Sequence, residues 1–116
     1  TWNQTSDRRI KKNIVDNTTG LEKITQIQVR NFEYRTLEEI TDFDSPEAAM
    51  VDKQGTQLGA IAQEIEEILP DVVRTETAGV KSVDPSNLTW YLVNAIKELS
   101  ETNKDLKSRI EALESN

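Results

Sequence analysis

Residues 92–113 read LVNAIKELSETNKDLKSRIEAL, and their large apolar side chains recur at alternating intervals of four and three. This spacing is a heptad repeat in which leucine occupies every d position and the a positions hold two isoleucines and one asparagine. The seam consists of Leu92, Ile96, Leu99, Asn103, Leu106, Ile110 and Leu113. After Leu99 the helix is polar outside this seam, so a partner helix must cover it. A second copy of the chain is the simplest partner, and the pattern predicts a parallel coiled coil.

The number of helices in this coiled coil is less firmly indicated than their parallel, in-register arrangement. Isoleucine at a, leucine at d and a single a-position asparagine favour two strands. Arg109 at g and Glu114 at the following e position could form an ion pair between chains. The alternative is one long helix that packs along its own domain.

Upstream of the seam, the sequence predicts further elements. Asp84 followed by Pro85 is typical of a helix N-cap and first turn, which predicts a helix over 85–114, roughly 45 Å long. Two valine-containing segments, 72–73 and 80–83, flank Thr77-Ala78-Gly79 and predict a hairpin. An amphipathic helix is expected from Leu58 until Pro70 ends it, because apolar residues recur there at helical intervals: Leu58, Ile61, Ala62, Ile65, Ile68 and Leu69.

The N-terminal half is less regular. A turn at 17–20 precedes a short helical stretch around Leu21 and Ile24, and a strand with a bulge or kink near 30–31 is expected over 27–34. Residues 41–55 are typical of an acidic surface loop. The expected fold is therefore α+β and mainly helical, with three parts: an upstream segment 1–5, a body 6–84 and a coiled-coil helix 85–116.

Composition excludes several classes of function. The 116 residues carry a net charge of −7, which argues against nucleic-acid and anionic-membrane partners, and no apolar run approaches the ~20 residues of a membrane span. Without histidine or cysteine the chain has no histidine-based triad, thiol nucleophile, disulfide or usual zinc ligand set. An enzyme of this composition must use serine, threonine, lysine or carboxylates. Only 35% of residues are hydrophobic, so the chain is short of core by itself, and oligomerisation is the usual remedy.

Residues 6–14, SDRRIKKNI, could carry such chemistry. The structural interpretation is a helix N-cap at the serine or aspartate. The functional one is a nucleophile and base formed by Ser6 and Lys11, because a lysine can serve as base where burial or neighbouring cations, here Arg8, Arg9 and Lys12, lower its pKa. Five residues apart on a helix is ~140° out of phase, so the two side chains can meet only if the backbone between them is not a regular helix.

Three blocks of the sequence resemble the peptidase S74 family, the C-terminal intramolecular chaperone domains of bacteriophage tail spikes, endosialidases and neck appendages. The first block is 6–14, followed by Leu21, Ile24 and Val29-x-x-Phe32-x-Tyr34. The second is 59–65, GAIAQEI, with 69–73, LPDVV, and the third comprises Val83-Asp84, Leu88 and 95–99, AIKEL. They occur in order and cover nearly the whole chain.

The resemblance implies an intramolecular chaperone that trimerises and folds an upstream fibre or spike of the same polypeptide, then cuts itself off between Thr5 and Ser6. It implies Ser6 as nucleophile, Lys11 as base, a five-membered ring in an N-to-O acyl shift, and no metal or cofactor. We therefore expect a homotrimer, despite the dimer preference of the seam. Glu64, in the second block, is expected to have a supporting role near the Ser6–Lys11 pair. The implied location is the host cytoplasm during phage assembly, with release from the mature virion after cleavage.

Two other functions stay open on the sequence. One is a chaperone or trimerisation module whose protease is silent, and the other is a plain coiled-coil interaction domain of a regulatory protein. The first predicts assembly without scission, and the second predicts an oligomer with no effect on an upstream fibre.

Overall fold

The longest element of the structure is a C-terminal helix, on whose first turns a small α+β body packs. The computed structural model describes residues 3–115, so residues 1 and 2 of the expected upstream segment and residue 116 of the expected helix segment lie outside it. In chain order the described residues form α1 (Leu21–Ile24), β1 (Arg30–Phe32), α2 (Pro46–Ala49), β2 (Gln57–Gly59), α3 (Ala62–Ile68), β3 (Val73–Thr75), β4 (Lys81–Val83) and α4 (Pro85–Glu114). Short 3-10 turns lie at Arg8–Ile10, Leu37–Glu39 and Pro70–Val72.

Helix α4 begins and ends where the sequence predicts. The Asp84 carboxylate accepts a hydrogen bond from the Ser86 backbone N–H at 3.0 Å, and Pro85 occupies the first turn, where its missing N–H costs nothing. At 1.5 Å per residue its 30 residues span about 45 Å, which explains the elongated 68 × 41 × 27 Å shape of the molecule.

Two different faces of α4 serve packing and the heptad seam. Leu88 and Tyr91 are partly buried and Ala95 is buried, and all three lie on the face toward the body. Leu92, Ile96 and Leu99 remain 42%, 67% and 56% exposed on an adjacent face. Beyond Leu99 every described residue of the helix is exposed. The alternative of a helix packed along its own domain therefore holds only for the first turns, and the seam faces solvent in the single chain.

The hydrophobic core is small, as the composition predicts. Within residues 3–115 the buried apolar side chains of the core cluster are Ile65, Leu69 and Val72, and Ala95 is buried where α4 meets Gly20. Half-buried residues from six segments pack around the core: Ile27, Ala60, Ile68, Val73, Val83, Leu88 and Tyr91. Such a core leaves much apolar surface exposed, at Ile10, Ile14, Val15, Val29 and Leu58 as well as along the seam.

The hairpin predicted around Thr77-Ala78-Gly79 is confirmed. Strands β3 and β4 pair antiparallel, with Val73 opposite Val83 and Thr75 opposite Lys81. Gly79 has φ +87° in the connecting turn, a conformation that glycine adopts without steric cost. The short helix expected around Leu21 and Ile24 is likewise present as α1.

The helix expected from Leu58 begins later, and that boundary was wrong. Residues 57–59 form β2, which pairs antiparallel with β1, so Leu58 is 75% exposed and α3 begins only at Ala62. Gly59 lies against the Phe32 ring, where a Cβ would approach to 3.2 Å. The expected strand over 27–34 is correspondingly reduced to Arg30–Phe32, because only these residues find partners in β2.

The acidic segment 41–55 is not entirely a loop. It contains α2, in which Pro46 occupies the first turn. Between residues 3 and 115, no helix combines the length and apolar character that crossing a bilayer requires.

Candidate functional site

The side chains of Ser6 and Lys11 are in contact. The Lys11 ammonium donates a hydrogen bond to Ser6 Oγ, with Nζ and Oγ 2.5 Å apart, and both residues are exposed. A lysine that has lost its proton could accept the hydroxyl proton across the same contact, which is the geometry that a serine nucleophile needs from its base.

The backbone between these residues is a single 3-10 turn, Arg8–Ile10, rather than an α-helix. The Ile10 N–H donates to the Asp7 carbonyl at 3.1 Å, and the Lys11 N–H donates to the Arg8 carbonyl at 3.2 Å. Asp7 and Lys11, on either side of the turn, have extended backbones. This departure from helical geometry is the condition under which side chains five residues apart can meet.

Asp7 holds this turn at its N-terminal end. Its carboxylate accepts a hydrogen bond from the Arg9 backbone N–H at 2.9 Å and forms a two-pronged ion pair with the Arg9 guanidinium, at 3.1 Å to Nε and 2.8 Å to the terminal nitrogen. The guanidinium bond, followed by the backbone bond, lowers the pKa of Asp7. The N-cap interpretation therefore holds for Asp7. Arg9 was expected to act as one of the cations near Lys11, but Asp7 offsets its charge. Arg8 and Lys12 are the remaining cations of that expectation.

The segment that carries Ser6 and Lys11 is anchored to α4 by residues 17–21. The Asn94 side chain donates to the backbone carbonyl of Thr19 at 2.8 Å and to that of Asn17 at 3.2 Å. The Leu21 N–H, at the start of α1, donates to a Glu98 carboxylate oxygen at 3.2 Å. Gly20 permits this approach, because a Cβ there would lie 2.9 Å from the Ala95 backbone nitrogen.

An open groove of about 560 Å³ runs between this segment and α4. Its walls include Val15 and Thr18 on one side and Trp90, Val93 and Lys97 on the other. Trp90, in this wall, is 56% exposed.

Glu64 lies in the first turn of α3 and forms an ion pair with Arg30 of β1. Both of its oxygens accept from the guanidinium at 2.8 Å, which lowers the pKa of Glu64 and raises that of Arg30. This pair ties β1 to α3. The supporting role of Glu64 near Ser6 and Lys11 stays a prediction, with Arg30 as its partner in the single chain.

A second polar cluster joins the 3-10 turn after α3 to α4. The Tyr91 hydroxyl donates to an Asp71 carboxylate oxygen at 2.6 Å, and the Asn87 amide donates to the same oxygen at 3.0 Å. The tyrosine bond lowers the pKa of Asp71, and the same contact raises that of Tyr91.

Sequence reasoning missed the contacts of Asn94, Glu98 and Asp71. Asn94 and Asn17 are 77 residues apart, and hydrogen bonds between such distant residues leave no periodic signal. The local signal was better for Asp7, since an aspartate side chain commonly accepts a hydrogen bond from the backbone N–H two residues later.

Comparison with known proteins agrees with the resemblance seen in the sequence. The model of the peptidase S74 family, described as chaperone of endosialidase, matches residues 6–74, more than half of the chain. Myelin regulatory factor homolog 1 of Caenorhabditis elegans is 28% identical over 106 residues, which cover 91% of this chain but only 11% of that protein. The chain thus corresponds to a small part of this relative. The matched residues begin at Ser6 and include Lys11, and the chain belongs to the peptidase S74 family, the chaperones of endosialidase.

Proposed function

We propose that this chain is an intramolecular chaperone that trimerises, helps the polypeptide upstream of it to fold, and then releases itself by cutting between Thr5 and Ser6. The observation that carries the proposal is the 2.5 Å contact between Lys11 Nζ and Ser6 Oγ at the start of the matched family region. The chain would thus act both as an assembly domain and as a serine peptidase that cuts its own polypeptide once.

The chemistry needs only groups of the chain and one water. Lys11 takes the hydroxyl proton of Ser6 while Oγ attacks the Thr5 carbonyl carbon through a five-membered ring. The bond between the Thr5 carbonyl and the Ser6 nitrogen breaks, that nitrogen receives the proton, and an ester joins Thr5 to Ser6 Oγ. Water then hydrolyses the ester, leaving a Thr5 carboxylate and restoring the Ser6 hydroxyl. Proximity supplies much of the acceleration, because attacking and attacked atoms belong to neighbouring residues.

Assembly is proposed to activate this pair. A lysine acts as a base only after it loses its proton, and burial favours the neutral amine. In the single chain Lys11 is exposed and donates to Ser6, which is the inactive direction of the hydrogen bond. Packing of neighbouring copies against the segment would remove water from Lys11, so that only assembled chains cut. Cleavage would then leave the mature upstream protein kinetically trapped.

The exposed seam and the small core support self-assembly. Leu92, Ile96 and Leu99 lie on a face of α4 that the body does not cover, so parallel helices can meet there while each body stays outside the bundle. A trimer is proposed because the family resemblance covers nearly the whole chain, although the a and d residues favour two strands.

The upstream partner is proposed to be a bacteriophage spike, fibre or neck appendage, assembled in the host cytoplasm and freed of this domain in the mature virion. The family description, chaperone of endosialidase, supports this. The nematode relative favours a second candidate, in which the same domain assembles a regulatory protein. The third candidate is a trimerisation module that does not cleave itself.

Intact mass spectrometry of the chain fused behind a folded upstream domain tests the peptidase. The wild type and the control Lys23→Ala, which removes an exposed lysine of α1, should both break between Thr5 and Ser6. Ser6→Ala and Lys11→Ala should stay uncut. Uncut wild type would leave an assembly module, and cutting in Ser6→Ala would place the nucleophile elsewhere.

The assembly requirement needs a variant that stays monomeric. Leu99→Asp with Leu106→Asp should abolish oligomers in analytical ultracentrifugation and stop cleavage. Lys104→Asp changes the net charge by the same two units at a position outside the seam, and it should do neither. Normal cleavage by a verified monomer would refute activation by assembly.

A further inference from the structure

The turn between Ser6 and Lys11 depends on one carboxylate. Asp7 accepts hydrogen bonds from both the backbone and the side chain of Arg9, at 2.9 Å from N and 2.8 Å from a terminal guanidinium nitrogen. The turn itself holds only two backbone hydrogen bonds, from Ile10 to Asp7 and from Lys11 to Arg8. An isolated turn of this kind is entropically costly, because few bonds are gained for the dihedral angles that are fixed.

The body contributes little to holding this turn. Residues 3–18 are exposed, and the first hydrogen bonds from this segment to α4 are those of Asn17. The separation of Ser6 and Lys11 is therefore set locally, by the turn and by the group that caps it.

From this arrangement we infer that Asp7 is a positioning residue for self-cleavage, which holds Lys11 against Ser6 by capping the Arg8–Ile10 turn and pairing with Arg9. The inference rests on the proposed autoproteolysis. Asp7 touches neither the reacting carbonyl nor the transferred proton, and it acts through the geometry of the turn. Arg9 shares this role as the partner that fixes the carboxylate.

The negative charge of Asp7, acting alone, would slow cleavage rather than assist it. Without Asp7 the Arg9 guanidinium would be unpaired, and an added positive charge favours the neutral, basic form of a nearby lysine. An electrostatic role therefore predicts faster cleavage when the carboxylate is removed, whereas a positioning role predicts slower cleavage.

The test measures single-turnover cleavage of the fusion protein by Asp7→Ala, Asp7→Asn and Asp16→Ala. Asp7→Ala should slow cleavage by about a hundredfold, as displacement of a reacting group by about 1 Å does. Asp7→Asn keeps an oxygen for the Arg9 N–H and should retain a rate within about threefold of the wild type, since the cap is the main contribution. Asp16→Ala removes an equal charge from the same segment without disturbing the turn, and it should match the wild type.

Two further readouts separate positioning from folding and from the later step. All variants should form the same oligomer and unfold at the same temperature, because the turn lies outside the core. Hydroxylamine, which cleaves esters, should not restore the rate of Asp7→Ala, because the affected step precedes formation of the ester.

The double variant Asp7→Ala with Arg9→Ala tests whether the two residues act as a unit. It should cleave no more slowly than Asp7→Ala alone.

The outcomes distinguish this inference from the proposed function. A wild type that never cleaves would overturn both. A wild type that cleaves while Asp7→Ala cleaves equally fast or faster would overturn the role of Asp7 alone. Rescue of Asp7→Ala by hydroxylamine, or a changed oligomer, would also overturn it, because the loss would then lie in hydrolysis or in assembly.

Discussion

Asn94 of α4 donates a hydrogen bond to the backbone carbonyl of Thr19, 75 residues earlier in the chain, at 2.8 Å. The same amide reaches Asn17, so one side chain fixes the end of the segment that carries Ser6 and Lys11. The proposed cleavage machinery is therefore attached to the helix that carries the assembly seam. This attachment provides a direct route by which packing of α4 against other copies could affect the N-terminal segment.

Replacing Asn94 by alanine should destabilise the body. The carbonyls of Asn17 and Thr19 would lose their donor, and an unsatisfied polar group costs about 1–3 kcal/mol; partial exposure of this site places the expected loss near the lower value. Chemical denaturation followed by circular dichroism measures it. Lys97→Ala, which shortens a neighbouring exposed side chain, is the control, and an equal loss in both variants would contradict the role of the amide.

Gly20→Ala should also destabilise the junction with α4. An added Cβ would approach the Ala95 backbone nitrogen to 2.9 Å, and backbone cannot rotate away as a flexible side chain can. Overpacking of this kind costs about 1–3 kcal/mol.

Gly55→Ala provides the comparison for Gly20→Ala. A Cβ at Gly55 would meet nothing within 4 Å, and only its φ of +84° disfavours alanine, at about 1 kcal/mol. Thermal unfolding should show a larger loss of stability for Gly20→Ala than for Gly55→Ala. The reverse order would show that the junction with α4 shifts to accommodate the added methyl group.

The bond between Tyr91 and Asp71 should make stability depend on pH in the acid range. Because the tyrosine bond lowers the pKa of Asp71 below its ordinary value of 3.8, the contribution is present above that pH and is lost as pH falls through the lower folded value. Tyr91→Phe should lose about 1 kcal/mol at pH 7. The difference from wild type should narrow below pH 3.8.

Tyr34→Phe is the matched control for this bond. Its ring packs edge-to-face on Phe32 with centroids 5.1 Å apart, and its hydroxyl has no hydrogen-bond partner among residues 3–115. Urea unfolding between pH 3 and 7 should show no pH-dependent difference for this variant. A constant gap for Tyr91→Phe across that range would contradict the assignment to Asp71.

Asn103→Ile should strengthen the coiled coil and weaken its register. A buried a-position asparagine specifies alignment at a cost in stability, and burial of an incompletely paired amide costs about 1–3 kcal/mol. Thermal melts at several chain concentrations should shift upward, and ultracentrifugation should reveal any additional oligomer. Ser108→Ala, at an f position, is the control, and an unchanged melt for Asn103→Ile would indicate that Asn103 lies outside the packed seam.

Elements with strong local signals were predicted well. The N-cap at Asp84, the proline after it and the unbroken heptads are contained within one segment, and α4 follows them from Pro85 to Glu114. The hairpin of β3 and β4 is similarly local, because its partners flank a glycine turn. In both cases neighbouring residues supply the hydrogen-bond partners, so spacing alone indicates the structure.

The boundary at Leu58 could not be predicted this way. Leu58 and Ile61 fit a helical period, but the backbone of Gln57–Gly59 pairs with Arg30–Phe32. Residues 57–59 therefore form a strand despite their helical spacing. A periodic signal does not reveal which distant strand is available.

For the candidate site, the sequence by itself determined the residue types, a cap at Ser6 or Asp7, and the constraint that a regular helix would keep Ser6 and Lys11 apart. The Arg8–Ile10 turn, a local element, brings Lys11 to 2.5 Å from Ser6, whereas only the tertiary structure decided that Asn94 and Glu98 attach this segment to α4. The physical reason is the distance along the chain over which each interaction acts. Capping and periodicity act within a few residues, whereas the contact of residues 17–21 with α4 depends on two parts of the chain that meet only when the body has folded.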